Sequence, residues 1–275
     1  MENIGLFPEL NSLMAKYKFS PRRKHSQHIM VDEKILSAMA AEAGLSKKDT
    51  VLEIGAGTGF LTRLLAEKSK VLAVEQDIEF CRLLEEEFRS KNLTVLCGDI
   101  RKVKLPPYNK VVSNPPYHIS SDIIWLLVEK GFDLALLTFE REFVFKLLAE
   151  EGYREYNAIS VITNYCSRPE IIFDKISSSS FFPRPNAISA LVKLTAKKRF
   201  GEAKNEKFFR KFVKSVFRYR NKNISNAMEK AYKELSGEFR QLKQEEYLKA
   251  AEKFFDVKVC QLSVKEFVEI SNLAL

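Results

Sequence analysis

Short apolar runs alternate with longer amphipathic stretches over the first half of the chain. The runs at residues 51–54, 71–74, 94–97, 110–113 and 134–139 predict strands, and the stretches at residues 35–44, 60–68, 78–88, 119–130 and 140–150 predict helices. A repeated strand-then-helix order implies parallel strands joined by helical crossovers. We therefore predict an α/β fold built on a Rossmann-like, doubly wound sheet.

The pattern changes in the second half. Residues 159–165 and 190–194 predict two last strands. Beyond a polar segment at residues 195–206, apolar residues recur at the spacing of one helix face, namely Phe208, Phe209, Phe212, Val213, Val216 and Phe217. Further helices are predicted at residues 224–235, 244–255 and 264–273. The chain thus divides into a domain over residues 1–196 and a small helical domain over residues 197–275.

Composition places the chain among soluble globular proteins. With 45% apolar and 29% charged residues in a length of 275, the chain can bury a sizeable core. No stretch of 18 residues is free of charge, which argues against a membrane span, and the N-terminus lacks the succession typical of a secretory signal. Together these features predict a cytoplasmic protein.

The cysteines and histidines predict neither a disulfide framework nor a metal site. The four cysteines, Cys81, Cys97, Cys166 and Cys260, lie far apart and form no CxxC pair, so we expect reduced, mostly buried thiols. The three histidines have no cysteine cluster beside them, so no zinc site is expected.

Positive charge is concentrated at the C-terminal end. From Lys197 onward, 19 Lys and Arg face 11 Asp and Glu, a net charge of +8, whereas residues 1–196 carry only +1. A basic segment beside a nearly neutral body indicates a polyanionic partner, with nucleic acid the first choice. The alternative is a solvated helical surface that happens to be rich in lysine.

A glycine-rich turn follows the first predicted strand. The sequence Glu53-Ile54-Gly55-Ala56-Gly57-Thr58-Gly59 lies between that strand and a helix, which is the context that a nucleotide-binding loop requires. Glycines let the backbone pass close to a ligand. The spacing is GxGxG without a following GK[ST], so the turn suits a small nucleoside better than a pyrophosphate or triphosphate.

Acidic residues end the next two predicted strands. Glu75 lies 20 residues beyond Gly55, where an acidic side chain accepts hydrogen bonds from ribose hydroxyls. The alternative for Glu75 is an ordinary surface glutamate. Asp99 follows the third strand, where its carboxylate can accept a hydrogen bond from an adenine amino group.

The tetrapeptide Asn114-Pro115-Pro116-Tyr117 follows the fourth strand. Two prolines stiffen the backbone and leave its carbonyls free, asparagine offers a side-chain acceptor, and tyrosine offers a flat face for stacking. The arrangement suits a planar ring that carries an exocyclic amino group, whose two hydrogens Asn114 Oδ1 and a proline carbonyl would accept. A proline-rich turn without a ligand is an equal alternative on these four residues alone.

A second aromatic segment lies near residue 181. Phe181-Phe182-Pro183-Arg184-Pro185 follows a serine run, and its aromatic rings beside a stiff basic loop could cover an extruded base and touch phosphate. A hairpin loop with one buried phenylalanine is the simpler interpretation of this segment.

Taken in order and spacing, these motifs resemble the ribosomal RNA adenine N6,N6-dimethyltransferase family, whose members include the KsgA-type small-subunit enzymes. The resemblance begins at Gln27-His28 and runs through the glycine turn, Glu75, Gly98-Asp99 and the Asn114 tetrapeptide. It ends with the Phe181 segment and with the helical domain, which opens Phe217-Arg218-Tyr219-Arg220-Asn221-Lys222.

The resemblance implies a class I methyltransferase sheet, S-adenosylmethionine as the cofactor and immature small ribosomal subunits as the partner of a monomeric enzyme. Gln27, His28 and Met30 would border the methionine part, Gly55 and Gly57 would pass beneath the cofactor, Glu75 would hold its ribose and Asp99 its adenine. Asn114 would sit between cofactor and target base, with Pro115 supplying its carbonyl. Tyr117 and Phe181 would sandwich the base.

Several residues depart from the family pattern and keep two alternatives open. Ser26 replaces a glycine, Glu140 replaces a glutamine, and Pro115 gives the NPPY form common among DNA adenine and protein glutamine methylases. One alternative is therefore the same chemistry on DNA adenine or a protein glutamine. The other is a ribosome-assembly or RNA-binding factor with reduced turnover.

Overall fold

The computed structural model describes residues 5–21, 27–197 and 202–275, and Ser26 lies outside them. The helices are Phe7–Tyr17 (α1), Glu33–Glu42 (α2), Phe60–Ala66 (α3), Ile78–Glu87 (α4), Ser120–Lys130 (α5), Arg141–Leu148 (α6), Ala158–Cys166 (α7), Glu206–Val216 (α8), Ile224–Glu238 (α9), Gln244–Lys249 (α10) and Val264–Ala274 (α11). The strands are Ile29–Met30 (β1), Thr50–Ile54 (β2), Lys70–Glu75 (β3), Leu93–Cys97 (β4), Lys110–Ser113 (β5), Leu134–Glu140 (β6), Ser167–Ile176 (β7), Phe181–Phe182 (β8) and Ser189–Ala196 (β9).

Seven strands form one sheet in the order β4-β3-β2-β5-β6-β9-β7. The neighbours from β4 to β6 pair in parallel, and β9 runs antiparallel to β6. The predicted doubly wound α/β fold is therefore confirmed. The order reverses between β2 and β5, because the chain first builds β3 and β4 on one side and later β5 and β6 on the other. In such sheets this reversal opens a crevice at the carboxyl ends of the strands.

A short antiparallel ribbon lies apart from the main sheet. Ile29 pairs with Phe182 and Met30 with Phe181. All four side chains belong to or pack against the hydrophobic core of the α/β unit, to which α1 also contributes Leu10 and Leu13. The ribbon thus joins the predicted cofactor segment near residue 28 to the predicted base-binding segment near residue 181.

Two of the predicted elements are wrong. Residues 159–165 were expected to form a strand, but they lie in helix α7. Asn157 caps this helix, since its side chain accepts from the Ile159 N–H while the Ser160 hydroxyl accepts from the Asn157 N–H. A short apolar run fits a buried helix as well as a strand, and the capping box decides the outcome. The helix expected over residues 244–255 ends at Lys249.

The chain forms two compact units. Unit 1 comprises Met1–Val144 and Glu170–Ala196, and unit 2 comprises Phe145–Pro169 and Lys197–Leu275. Residues 145–169, which were predicted to lie in the first domain, belong to unit 2. Within unit 2, the apolar face of α8 is fully buried, with Phe208, Phe209 and Phe212 each at 0% exposure. That burial is what the helical spacing of these residues predicts.

The cysteines differ in part from expectation. Cys81 in α4 and Cys97 at the end of β4 are joined as a disulfide, with Cα atoms 6.0 Å apart, whereas Cys166 and Cys260 are free. The pair is 16 residues apart in sequence, and only the packing of α4 beside β4 brings it together.

Among the helices of the described residues, none has the length and apolar character needed to cross a bilayer.

Candidate functional site

The candidate site lies at the carboxyl ends of β2 and β5, where the strand order reverses. Gly55 follows β2 directly and Asn114 follows β5 directly. Ser113 joins the two ends, because its hydroxyl donates to the Ile54 carbonyl (2.5 Å) and accepts from the Ile54 N–H (3.2 Å). The predicted cofactor loop and the predicted catalytic tetrapeptide are therefore fixed side by side.

The glycines of the turn have two different uses. Gly55 has φ +73°, and a Cβ placed there would lie 2.9 Å from Cδ of Pro116, so a side chain would push the tetrapeptide away. Gly57 has φ +53°, and a Cβ there would meet no heavy atom within 4 Å. Both positive φ values favour glycine. Gly55 thus admits the proline, while Gly57 borders open space that a ligand could use.

Glu75 is buried and holds the glycine turn. Its Oε2 accepts from the Gly57 N–H (2.9 Å), and its Oε1 accepts from the N–H groups of Gln76 (2.8 Å) and Asp77 (2.9 Å). Burial raises the pKa of this carboxyl, and the backbone N–H groups oppose the rise. The sequence predicted a ribose ligand here but did not reveal this second task. A carboxylate has about four acceptor sites, so hydroxyl groups could still be accepted.

Glu53 is a buried group that the sequence reasoning gave no role. It is 2% exposed, it lines the same pocket as Gly57 and Glu75, and within the described structure its Oε2 has no hydrogen-bond partner. Burial raises the pKa of its carboxyl to about 8, the nearby hydroxyl of Thr62 opposes the rise, and the charge of Glu75 adds to it. A buried acceptor that faces a pocket without a partner indicates a missing donor or cation. The signal in the sequence was its place directly before the glycine turn.

The amide of Asn114 is held from two sides. Its Nδ2 donates to the backbone carbonyl of His28 (3.0 Å), and its Oδ1 accepts from the hydroxyl of Thr138. Neither partner was foreseen, because His28 lies 86 residues before Asn114 and Thr138 lies 24 residues after it. Pro115, which follows, is buried, and Pro116 is partly exposed.

Tyr117 is partly exposed beside the pocket. Its hydroxyl shares a 2.6 Å hydrogen bond with Ser189 Oγ, and its ring centroid lies 6.3 Å from that of His28. Burial raises the pKa of the Tyr117 phenol, and the Ser189 hydroxyl opposes the rise. The phenol is therefore neutral at physiological pH, and stacking of its ring on a base stays a prediction.

The predicted methionine-side residues lie together. Gln27, His28 and Met30 line one pocket with Gly55, Gly57, Glu75 and Asn114. Gln27 donates to Asp77 at 3.2 Å, and His28 Nδ1 lies 2.7 Å from the carbonyl of Pro183. Since a carbonyl can only accept, His28 carries its proton on Nδ1. Their roles toward a ligand stay predictions.

Phe181 does not present a face at this pocket. Its side chain is 2% exposed and belongs to the hydrophobic core, because the ribbon pairs it with Met30. The neighbouring Phe182 is partly exposed and packs edge-on against Phe7 at 5.2 Å. Stacking of Phe181 on a base would require its ring to leave the core, so the buried-phenylalanine alternative describes this structure better.

Asp99 lines a neighbouring pocket with Gly55, Glu75 and Pro116, but it is already paired. Arg101 donates to it from Nη2 at 2.6 Å and from Nε at 2.9 Å. These hydrogen bonds lower the pKa of Asp99 to about 2, so the carboxylate stays charged. The side chain of Arg101 is 48% exposed, which places this unpredicted cation at the pocket edge.

The chain is similar to known proteins over most of its length. The family described as Ribosomal RNA adenine dimethylase matches residues 18–272. A probable ribosomal RNA small subunit methyltransferase A of Methanosarcina barkeri is 38% identical over 226 residues, 82% of this chain and 78% of that protein. Its counterpart in Thermococcus gammatolerans is 34% identical over 265 residues, 95% of this chain and 92% of that protein.

Solved structures agree with these relatives. The crystal structure of a dimethyladenosine transferase from Plasmodium falciparum superposes with a TM-score of 0.74 at 25% identity, covering 88% of this chain and 96% of that one. A 23S rRNA methyltransferase, ErmE, shares the fold with a TM-score of 0.62 at 21% identity, over 90% of this chain and 99% of that one. The family match spans nearly the whole chain, both units included, and the chain therefore belongs to the ribosomal RNA adenine dimethylase family.

Proposed function

We propose that this protein transfers methyl groups from S-adenosylmethionine to N6 of adenine in small-subunit ribosomal RNA. The observation that carries the proposal is the fixed amide of Asn114, which stands at the reversal of the sheet beside a pocket built from the glycine turn and Glu75. Membership of the adenine dimethylase family supports the same reaction.

The pocket residues fit this cofactor. Open space beside Gly57 lets a ligand approach the backbone, and the carboxyl of Glu53, whose Oε2 has no partner among the described residues, would ionise to pair with a cationic amino group. We propose that Gly55 and Gly57 pass beneath the ligand, that Glu75 accepts from its ribose hydroxyls and that Asp99 accepts from its adenine. Gln27, His28 and Met30 would border the methionine part. When bound, S-adenosylmethionine supplies an electrophilic methyl group.

Asn114 would make the target nitrogen reactive. Adenine N6 is a poor nucleophile because its lone pair is delocalised into the ring. Asn114 Oδ1 and the Pro115 carbonyl would accept its two hydrogens, which favours pyramidal geometry and frees the lone pair. Acceptors fixed before the reaction cost no reorganisation, so they contribute to rate as preorganised hydrogen bonds do. The proton lost from N6 after transfer passes to solvent.

Tyr117 would hold the base in place. Its ring can stack on adenine, an interaction worth roughly 1–3 kcal/mol per base, and this offsets part of the few kcal/mol needed to extrude a nucleotide. Phe181 would act indirectly. Its side chain in the core would anchor the ribbon of β1 and β8, which His28 directly precedes. This assignment replaces the expected sandwich of the base by two aromatic rings.

RNA binding is proposed for the basic helical segment from Lys197 onward. On α8, Lys207 and Lys211 pair with Glu238 (2.9 and 3.1 Å), and beyond it Arg218 pairs with Glu234 (2.7 Å). Exposed ion pairs of this kind are worth about 0–1 kcal/mol, so phosphates could replace their acidic partners at small cost.

We propose that the enzyme acts as a monomer, in the cytoplasm, on immature small subunits, and that it adds two methyl groups per base.

Labelled methyl transfer to three substrates tests the proposal. The protein is incubated with labelled S-adenosylmethionine and, separately, immature small subunits, naked DNA and a protein mixture. We expect label in the ribosomal RNA alone. Label in DNA or protein would assign another substrate to the same chemistry. Binding of subunits without any transfer would identify an assembly factor and refute catalysis.

A further inference from the structure

Thr138 contacts the proposed catalytic amide from the neighbouring strand. In the register of β5 and β6, Ser113 pairs with Leu137, so Asn114, which follows β5, lies beside Thr138 of β6. The Thr138 side chain is 0% exposed, and its hydroxyl donates to Asn114 Oδ1. A buried hydroxyl aimed at a catalytic side chain from a rigid strand is well placed to fix that side chain.

Thr138 also lies near the hydroxyl that holds Tyr117. Thr138 pairs with Leu191 and Glu140 pairs with Ser189, so Thr138 and Ser189 lie on the same face of the sheet, diagonally across β6 and β9. Ser189 Oγ in turn lies 2.6 Å from the phenol oxygen of Tyr117. The partners of Asn114 and Tyr117 therefore stand on neighbouring rigid strands.

These contacts select one orientation of the Asn114 amide. With Nδ2 toward His28, the amide donates to a carbonyl and its Oδ1 accepts from Thr138. A flipped amide would set Oδ1 against the His28 carbonyl oxygen, two acceptors in contact. One of the two acceptor sites on Oδ1 is used by Thr138, and the other remains for the substrate.

We propose that Thr138 is a positioning residue for methyl transfer, which aims Asn114 Oδ1 at the amino group of the base. The inference rests on the proposed function. A hydroxyl that served only to satisfy buried polar groups would affect the melting temperature, and its loss would lower binding and rate together. A positioning hydroxyl affects the rate of transfer at saturating substrate.

The test compares three variants of the full-length protein. Thr138→Val keeps the shape and removes the hydroxyl, and Thr138→Ser keeps the hydroxyl. Thr163→Val is the matched control, because Thr163 is also 0% exposed and its Oγ1 has no partner among the described residues. We expect a single-turnover rate about tenfold lower for Thr138→Val. Thr138→Ser and Thr163→Val should stay within about twofold of wild type, with cofactor and RNA affinities unchanged in all three.

A double-mutant cycle and a spectrum complete the test. In the Asn114→Ala background, Thr138→Val should lower the rate by less than about twofold, because its partner is already gone. The side-chain amide resonance of Asn114, assigned by its loss in Asn114→Ala, should move in Thr138→Val and not in Thr163→Val. Should Thr138→Val fail to fold, Thr138→Ala replaces it in every arm.

The outcomes separate this inference from the proposed function. A wild-type rate or an unmoved Asn114 resonance in Thr138→Val overturns the positioning role while leaving methyl transfer intact. An equal loss in the presence and absence of Asn114 also overturns it. If Asn114→Ala itself methylates at the wild-type rate, the proposed catalytic role of Asn114 fails, and the Thr138 inference falls with it.

Discussion

Glu75 and Asn114 both stand at the carboxyl end of a parallel strand, yet they are held in different ways. The carboxylate of Glu75 is bonded by backbone N–H groups, two of them on the next two residues and one on the glycine turn. Asn114 is bonded by a carbonyl 86 residues away and by a side chain 24 residues away. Glu75 therefore shapes the loop that follows it and the adjacent glycine turn, whereas the surrounding fold must hold Asn114 in place.

The difference separates two kinds of function. A residue whose polar atoms bond its own loop gives the ligand a formed pocket, and its removal damages loop and ligand binding together. A residue held by distant groups can be removed while the pocket persists, so its loss should appear in the rate. Substitutions at the two positions test this comparison.

The largest effect is expected for Asn114→Ala. Loss of the acceptor should lower the single-turnover rate at saturating RNA by about 10²–10³-fold, the range for removing one preorganised hydrogen bond to a developing charge. Cofactor affinity should fall modestly, because the glycine turn and Glu75 remain. Asn114→Asp restores an acceptor and should lie between. A mutant that melts early and loses cofactor and RNA binding together would assign Asn114 a structural role instead.

A smaller effect, of another kind, is expected for Glu75→Ala. The cofactor dissociation constant should rise about 10- to 100-fold, the change produced by losing a charged acceptor worth roughly 1.5–3 kcal/mol. The melting temperature should also fall, because the N–H groups of Gly57, Gln76 and Asp77 lose their acceptor. Calorimetry and thermal melting measure both, with the exposed Glu85→Ala as control. Unchanged cofactor affinity in a folded Glu75→Ala would remove Glu75 from the site.

Substitutions in unit 2 should affect neither the cofactor pocket at Glu75 nor the amide of Asn114. We expect a triple variant on α8 to lose about tenfold in RNA affinity and to flatten its salt dependence, because each lost phosphate contact lowers the slope by about one. The variant carries Lys207→Gln, Lys211→Gln and Lys214→Gln, and its charge-matched control in unit 1 carries Lys47→Gln, Lys48→Gln and Lys104→Gln. Cofactor affinity should be unchanged in both. Equal losses of RNA affinity in both would deny α8 a specific role.

Deletion of residues 197–275 is a poorer test of RNA binding. Residues 145–169 belong to the same compact unit, so a truncated chain would keep them without their packing partners. Loss of RNA binding in such a chain could follow from misfolding alone. Charge substitutions on the exposed face of α8 avoid that ambiguity.

The last prediction concerns the pH dependence of stability that Glu53 causes. Its folded pKa of about 8 lies above the usual value of 4.5, so the native state keeps a proton that the unfolded chain loses. Stability from this group is fully present below about pH 4.5 and declines as the pH rises toward 8. Glu53→Gln cannot titrate, so its melting temperature relative to that of the wild type should rise by roughly 5–15 °C between pH 5 and 8. A constant difference across that range would refute a buried, protonated Glu53.

The sequence predicted those features that neighbouring residues determine, namely the periodic pattern of an element and the chemical motif that adjoins it. The strand-to-glycine-turn context located the pocket, and the alternation of strands and helices gave the sheet and its reversal between β2 and β5. Glu75 was found because its position is set by a distance along the chain, 20 residues after Gly55. These features depend on neighbours in sequence, which the pattern of residue types contains.

The contacts that could not be predicted from the sequence depend on the register between strands and on packing between distant segments. Nothing near Thr138 marks it as a partner of Asn114, since only the pairing of Ser113 with Leu137 brings them together. Burial of Phe181 depends on its pairing with Met30, and the Cys81–Cys97 disulfide depends on the packing of α4 beside β4. For α7, Asn157 was a local signal of a helix cap, but the apolar run after it led to the prediction of a strand. The remaining errors therefore arise mostly from long-range contacts.

We propose above that the site at Asn114 directs methyl transfer to N6 of adenine. The most direct measurement uses wild-type protein and Asn114→Ala in parallel, each with immature small subunits under single-turnover conditions. The RNA is digested at neutral pH and its nucleosides are identified by mass spectrometry against standards. We expect N6-methylated adenosine from the wild type, with its yield reduced about 10²–10³-fold in the variant. Methylation at N1 or on another nucleoside, or equal N6 methylation by both proteins, would contradict it.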